Sequence, residues 1–306
     1  MQEIMSYAGH LECYEKCNEI IGHFLSIEVN PSQVYRVTTF ISEQLEEEER
    51  TASRILPPIE KEDVLYAEVD GSMISTREEG WKEVKLARLF KGSDCLNPDS
   101  KSSYLAQSQY IAHFGKHTDF CDKVEQNIDS YGYLKDRLVF ITDGATWIKN
   151  WIEESYPNAY AILDYFHACE HLYEFAEKCF VNDASAKENW CKIQKEFLLD
   201  SEVKKVIENI EQTSAKQKDK DKLINYYQHN IQRMDYKRYR NLGCGIIGSG
   251  AIESAHRTLI QRRMKLSGQH WSKQGAKNML RLRVISMNKQ WYKVIDLLKI
   301  NYKIAS

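Results

Sequence analysis

The sequence lacks several features that would assign it to a familiar class of protein. No apolar run reaches the roughly 18 residues that a membrane helix needs, and the N-terminus lacks the basic and then apolar pattern of a signal peptide. No glycine-rich GK[ST] loop is present, so an ATP-driven mechanism is not indicated. These absences predict a cytoplasmic protein with no membrane partner.

Neither charge nor cysteine content is biased towards one class. The 306 residues carry 42 Lys and Arg against 44 Asp and Glu, so a nucleic-acid partner can be indicated only by local charge. The eight cysteines are irregularly spaced, which predicts reduced thiols rather than a disulfide framework. His167, Cys169 and His171 lack the second pair of ligands that a structural zinc site usually shows. The apolar fraction of 42% is ample for a buried core.

The N-terminal segment, residues 1–60, reads as helical up to about Leu45. Asn30 and Pro31 supply a start signal for a second helix. Helix-turn-helix domains and plain helical hairpins share this outline, so both interpretations stay open. Pro57 and Pro58 can neither continue a helix nor pair freely in a sheet, and they predict a boundary.

Residues 61–172 change to a strand-rich pattern. "VLYAEVD", the alternating "WKEVKLARLF" and "YLAQSQYIAHF" predict an antiparallel meander, and "RLVFITDG" and "AYAILDYF" predict strands buried on both faces, each preceded by a helix. This βββαβαβ order is that of a ribonuclease-H-like mixed sheet with helices on both faces. Residues 173–244 predict an all-helical insertion, after which residues 245–306 return to the core.

Three acids stand beside or near glycines in these elements. Asp70 and Asp143 follow predicted strands, and Glu253 lies near the start of a helix. If they meet at one sheet edge, their mutual repulsion calls for a cation, and oxygen ligands select Mg²⁺ or Mn²⁺. Two such ions about 3.5 to 4 Å apart can activate a water or a 3′-hydroxyl on a phosphodiester. The alternative interpretation is that each Asp-Gly is only a turn.

A basic stretch without any Asp or Glu runs from Ser254 to Arg283. Phosphate contacts from such side chains supply sequence-independent affinity for a polyanion, whereas the alternative is a solvated basic helix face. Trp271 is interpreted as a core anchor. The predicted DNA-binding residues are Arg257, Arg262, Arg263, Lys265, Lys273 and Lys277.

Three blocks of sequence carry a family resemblance. In order, "YAEVDGSMISTREEGWKEVKLARLF", "LVFITDGATWIKNWIEESYPNAYAILDYFHACEHL" and "GSGAIESAHRTLIQRRMKLSGQHWSKQGAKNMLRLR" resemble the DDE transposases of bacterial insertion sequences of the ISKra and ISLre type, and more distantly Mutator-like transposases. The resemblance spans about Val64 to Arg283 and omits the helical middle. It implies a ribonuclease-H-like core that cuts and joins DNA, acting as an oligomer on double-stranded terminal repeats and target DNA with Mg²⁺ or Mn²⁺.

The resemblance also implies roles for particular residues. Asp70, Asp143 and Glu253 would be the catalytic and metal-binding acids, and Asp164 and His167 would match an accessory aspartate-x-x-histidine signature. Such transposases usually carry a longer DNA-binding region than the roughly sixty residues that precede the core here. The competing hypotheses are therefore a truncated, non-catalytic DNA-binding protein derived from a transposase, and a nuclease of the same fold that cuts without joining.

Overall fold

A five-stranded mixed sheet forms the centre of the protein. The computed structural model describes residues 1–51, 59–60, 62–97, 104–132, 134 and 136–305. Its sheet has the order β5-β2-β1-β6-β7, with β1, β2 and β5 antiparallel and with β6 and β7 parallel to β1. The predicted α/β class is confirmed. The strands are β1 (Leu65–Thr76), β2 (Gly80–Lys91), β5 (Gln109–His113), β6 (Leu138–Thr142) and β7 (Tyr160–Leu163), and a separate two-stranded ladder joins β3 (Cys95–Leu96) to β4 (Tyr104–Leu105).

Three strand predictions need correction. The first strand does not end at Asp70 but continues to Thr76, because β2 pairs with it along its whole length. The second strand is buried on both faces from residue 84 to residue 90, rather than on one face. The third predicted strand is split, since only Gln109–His113 joins the main sheet, whereas Tyr104–Leu105 pairs with β3.

Helices precede, cover and follow the sheet. The second N-terminal helix of the prediction begins at Pro31, as expected, and Asn30 accepts a hydrogen bond from the backbone nitrogen of Ser32. The boundary predicted at Pro57 and Pro58 lies outside the described residues. The helices are α1 (Gln2–Leu11), α2 (Tyr14–Leu25), α3 (Pro31–Thr51), α4 (His117–Asp129), α5 (Thr146–Ser155), α6 (Tyr165–Cys179), α7 (Ala184–Leu199), α8 (Val203–Glu211), α9 (Gln217–Asn230), α10 (Tyr236–Tyr239), α11 (Gly250–Ala255), a π-helical turn (His256–Gln261), α12 (Arg262–Met264), α13 (Lys273–Met287) and α14 (Tyr292–Ala305), with short 3-10 turns at Gly92–Asp94 and Ile231–Arg233.

The two faces of β1 point to different helices, because successive side chains of a strand alternate. Leu65, Ala67 and Val69 pack with side chains of α4 and α5 in one apolar cluster. Tyr66 belongs to a second cluster, on the opposite face, with residues of α6 to α10. Glu68 therefore shares the face of Tyr66, as does Asp70.

The helical segment after β7 is part of the core. Leu198, Val206 and Tyr227 pack in the same cluster as Ile141 of β6. The boundary predicted between residues 172 and 173 falls inside α6, which runs without interruption from Tyr165 to Cys179. In the described part of the chain, no helix combines the length and the apolar character needed to span a bilayer. All eight cysteines are free thiols.

Candidate functional site at the edge of the sheet

Asp70 and Asp143 lie at neighbouring positions at the carboxyl end of the parallel strand pair β1–β6, which is called the edge of the sheet below. The parallel pairing of β1 with β6 ends at Val69 and Thr142, and the two aspartates are the next residues of each chain segment. Paired strands run about 4.8 Å apart, so the two backbones are adjacent. Val139 and Ile141 of β6 share the cluster of Tyr66, and Asp143 follows β6 directly. The backbones of the first two predicted acids are thus neighbours.

The glycines after these aspartates have different roles. Gly144 has a φ of +94°, which permits the turn expected after β6. Gly71 lies within β1 and makes no turn. A Cβ atom at Gly71 would lie 2.2 Å from Oε1 of Glu83, so this glycine provides space for the Glu83 side chain. The prediction of a turn holds for Asp143 and is wrong for Asp70.

Glu253 is carried by a helix that is anchored to the same strands. Glu68 of β1 and Arg88 of β2 are directly opposite cross-strand partners, and both are buried. Oε2 of Glu68 accepts a hydrogen bond from the backbone nitrogen of Ile252 at 2.6 Å, and Nη1 of Arg88 donates to the carbonyl of Ala251 at 2.8 Å. These bonds tie the first turn of α11 to β1 and β2, and the N–H group of Ile252 is one of the donors that a helix start leaves without an intrahelical partner. Glu253 itself is exposed at the next position of this turn.

The pKa of Glu68 is raised mainly by burial and further by neighbouring acids. Burial raises the pKa of Glu68 to about 8, against the opposing effects of the Ile252 N–H group and the Arg88 guanidinium. The nearby carboxyl groups of Asp164 and Glu253 raise it further. Glu68 therefore holds its proton at neutral pH, in contact with the helix of the third predicted acid.

His256 connects that helix to the first acid. Its Nε2 lies 3.1 Å from Oδ2 of Asp70, although the ring is not aligned for a hydrogen bond. Asp70 is further fixed by the backbone nitrogen of Gly71, which donates to Oδ1 at 2.7 Å. Since residues three apart share one side of a helix, Glu253 and His256 face the same region.

The two accessory residues separate in the structure. Asp164 is buried and caps α6, accepting from the backbone nitrogen of Phe166 at 2.9 Å and from Oγ of Ser249 at 2.5 Å. Because Ser249 is the residue before α11, Asp164 joins the starts of two helices. His167 is partly exposed, and its Nδ1 lies 3.1 Å from Oε2 of Glu170.

The donor atoms at this edge suit a hard divalent cation, since Asp70, Asp143 and Glu253 supply only carboxylate oxygens. The side chains do not converge as they stand. Among the described residues, no group of three His, Cys, Asp or Glu side chains is close enough to hold a metal ion. The backbone positions fit the predicted site, whereas a closed set of ligands requires side-chain movement.

The predicted DNA-binding residues fall into different environments. Arg263 is only 1% exposed, and the prediction that it binds DNA is wrong because its guanidinium lies between the rings of Tyr14 and Trp271. Lys273 is ion-paired with Glu79 of the β1–β2 hairpin, so acids distant in sequence neutralise part of the basic stretch. Trp271 is buried, as predicted. The exposed members of the set are Arg257, Arg262, Lys265 and Lys277.

The comparisons with known proteins identify a family. Residues 7–298 match the uncharacterised protein family UPF0236. The chain belongs to this family. It is 24% identical over 241 residues to the UPF0236 protein in vanSb 3'region of Streptococcus gallolyticus, and the match covers 76% of this chain and 52% of that protein. The chain thus spans about half the length of the curated relative.

Several residues at the edge of this UPF0236 chain were missed by sequence reasoning. Glu68 sits in an apolar strand, where its charge was the signal that could have singled it out. Arg88 looked like a solvent-facing position of an alternating strand. Ser249 and His256 flank the predicted acid Glu253, but nothing in their spacing shows that they contact Asp164 and Asp70.

Proposed function

We propose that this protein is a DDE-type transposase that cleaves DNA strands and transfers them, using Asp70, Asp143 and Glu253 with Mg²⁺ or Mn²⁺. The observation that carries this proposal is the position of Asp70 and Asp143 immediately after the last paired residues of two parallel strands. The helix bearing Glu253 is bonded to the same strand two residues before Asp70.

The strand order gives further support. The main sheet has three antiparallel strands followed by two strands parallel to the first, in the spatial order third, second, first, fourth and fifth. This is the order that we expect for the proposed ribonuclease-H-like fold. In such a fold the acids of the first and fourth strands lie side by side. The exposed cations Arg257, Arg262, Lys265 and Lys277 follow Glu253 and suit contacts with DNA phosphates.

The protein's own groups would act as follows. Asp70, Asp143 and Glu253 would hold the metal, which when bound activates a water or 3′-hydroxyl and stabilises the leaving oxygen. The backbone nitrogens of Gly71 and Ala145 orient the two aspartates by donating to one oxygen of each, at 2.7 and 3.0 Å. The other oxygen of Asp143 is then available for the site, whereas Oδ2 of Asp70 lies 3.1 Å from Nε2 of His256 and has a second lone pair for the site.

The test is a cleavage and strand-transfer assay on DNA that contains the sequences flanking the coding region, with Mg²⁺ or Mn²⁺. We expect Asp70→Asn, Asp143→Asn and Glu253→Gln each to abolish product formation while leaving the unfolding midpoint near that of the wild type. Asp122→Asn, which removes an exposed carboxylate from α4, is the matched control and should stay active.

The other outcomes are distinct. Cleavage without joining would assign the protein to the nucleases, and DNA binding without cleavage would favour the non-catalytic alternative. Activity that survives all three substitutions at the acids would refute the site.

A further inference from the structure

A buried histidine beside the first acid lacks hydrogen-bond partners among the described residues. His256 is 6% exposed, and neither of its ring nitrogens makes a hydrogen bond to the described residues. Buried polar atoms are nearly always paired, since leaving one unpaired costs about 1 to 3 kcal/mol. An acceptor is within reach, because Oδ2 of Asp70 lies 3.1 Å from Nε2.

The backbone at His256 is also unusual. The helix changes from α to π geometry at this residue and keeps it until Gln261. A π turn contains an extra residue, so it rotates the side chains that follow it relative to those before it, and such turns are frequent at functional sites. Here the π turn begins at His256, beside Asp70, while Leu259 and Ile260 within it stay in the core.

Arg283 of α13 holds this turn in place. Its guanidinium donates to the carbonyls of Thr258 and Leu259, both in the π turn, and to the carbonyl of His10 at 2.5 Å. Burial lowers the pKa of Arg283 to about 10, so the side chain remains charged at neutral pH. A buried cation bonded to these carbonyls fixes the turn against α13.

We propose that His256 is a positioning residue for Asp70: its Nε2 bonds to Oδ2 of the carboxylate and couples the strand of the first acid to the helix that carries Glu253. This role rests on the proposed function, since Asp70 must be oriented only if it acts on a metal. Groups that orient metal ligands typically change affinity or activity about 10- to 100-fold when they are removed. The bland alternative is a histidine that merely fills space in the core.

Three substitutions separate these roles. The amide nitrogen of Gln extends about as far as Nε2 of a histidine, whereas that of Asn reaches only the position of Nδ1. His256→Gln should therefore retain most of the cleavage rate, while His256→Asn and His256→Ala should lose about 10- to 100-fold at saturating DNA. The Mn²⁺ concentration for half-maximal activity should rise for Asn and Ala. All three variants should stay folded at the assay temperature, which thermal unfolding checks.

A second measurement does not need activity. The shifts in unfolding midpoint of His256→Ala, Asp70→Ala and the double variant are compared in a double-mutant cycle, because Ala at either position removes the contact whereas Asn at position 70 would keep an acceptor oxygen. We expect a double-variant shift smaller than the sum of the single shifts, because each single change already breaks the contact. Additive shifts would overturn the coupling whether or not the wild type cuts DNA.

The combined outcomes distinguish the two hypotheses. An inactive wild-type protein with non-additive midpoints would refute the transposase but support the contact between His256 and Asp70. If the wild-type protein is active and its His256→Asn and His256→Ala variants cleave DNA as fast as it does, the positioning role is overturned. Equal losses of cleavage rate in the Gln, Asn and Ala variants would overturn it as well.

Discussion

Substitution of two adjacent arginines should affect the stability of the fold very differently. Arg263 is 1% exposed, its Nε donates to the carbonyl of Gly9 at 3.1 Å, and its guanidinium carbon is 5.1 Å from the ring centroids of both Tyr14 and Trp271. Arg262, one residue earlier, is exposed. Arg263→Met, which keeps most of the side-chain volume, should destabilise the fold, whereas Arg262→Ala should not.

The size of the effect follows from the lost contacts. A hydrogen bond from a charged donor contributes about 1.5 to 3 kcal/mol, and each desolvated cation–π contact contributes about 1 to 2 kcal/mol. Removing the charge also recovers several kcal/mol of desolvation. We therefore expect a loss of about 2 kcal/mol for Arg263→Met, and about 4 kcal/mol for Arg263→Ala, which also leaves a cavity. Arg262→Ala should stay within about 0.5 kcal/mol of the wild type.

Urea unfolding measures the loss of stability in the Arg263 variants. DNA binding over a range of salt concentrations measures whether Arg262 contacts a phosphate. If the chain binds DNA through this helix, Arg262→Ala should reduce the slope of log affinity against log salt by about 0.9, the amount for one phosphate contact. Arg263→Met should leave that slope unchanged at temperatures where the variant is folded. An Arg263→Met variant with wild-type stability and a reduced salt slope would refute the reasoning.

Three further predictions concern titration and the helix starts. Burial lowers the pKa of His10 to about 4, so between about pH 6.5 and 4 the unfolded chain binds a proton that the native protein does not bind. As the pH falls through this range, the free energy of unfolding should fall by about 1.4 kcal/mol per pH unit. Urea titrations should show that His10→Phe removes this part of the acid sensitivity. Burial raises the pKa of Glu68 to about 8, so the stability that this residue contributes is lost as the pH rises from about 4.5 through 8. The free energy of unfolding of Glu68→Gln should therefore rise relative to that of the wild type between pH 5 and 9. A difference that stays constant with pH would contradict this. Ser249→Ala removes the hydroxyl that donates to Asp164 and should cost about 2 kcal/mol in the same unfolding assay, with Ser254→Ala, at an exposed position, as the control.

The positions of most strands and of the helix α4 could be predicted from local patterns. The apolar run before Asp143 predicts a buried strand, and β6 is indeed buried along its whole length. The run is apolar because both faces of β6 are covered. The start of α3 at Pro31 follows from local capping chemistry. The length of β1 could not be predicted, because the residues after Asp70 are polar or small and are held in the strand by pairing with β2.

By itself, the sequence determined that Asp143 follows a buried strand and that Glu253 stands near a helix start, and the alternation of β1 determined that Glu68 and Asp70 share a face. Only the tertiary structure decided which charged side chains are buried. Whether Arg262 or Arg263 faces solvent depends on where α1, α2 and Trp271 pack, and the π turn sets how the residues around His256 face the sheet. Burial of a charge is a property of contacts between segments distant in the chain, so it is not written in the spacing of residues around it.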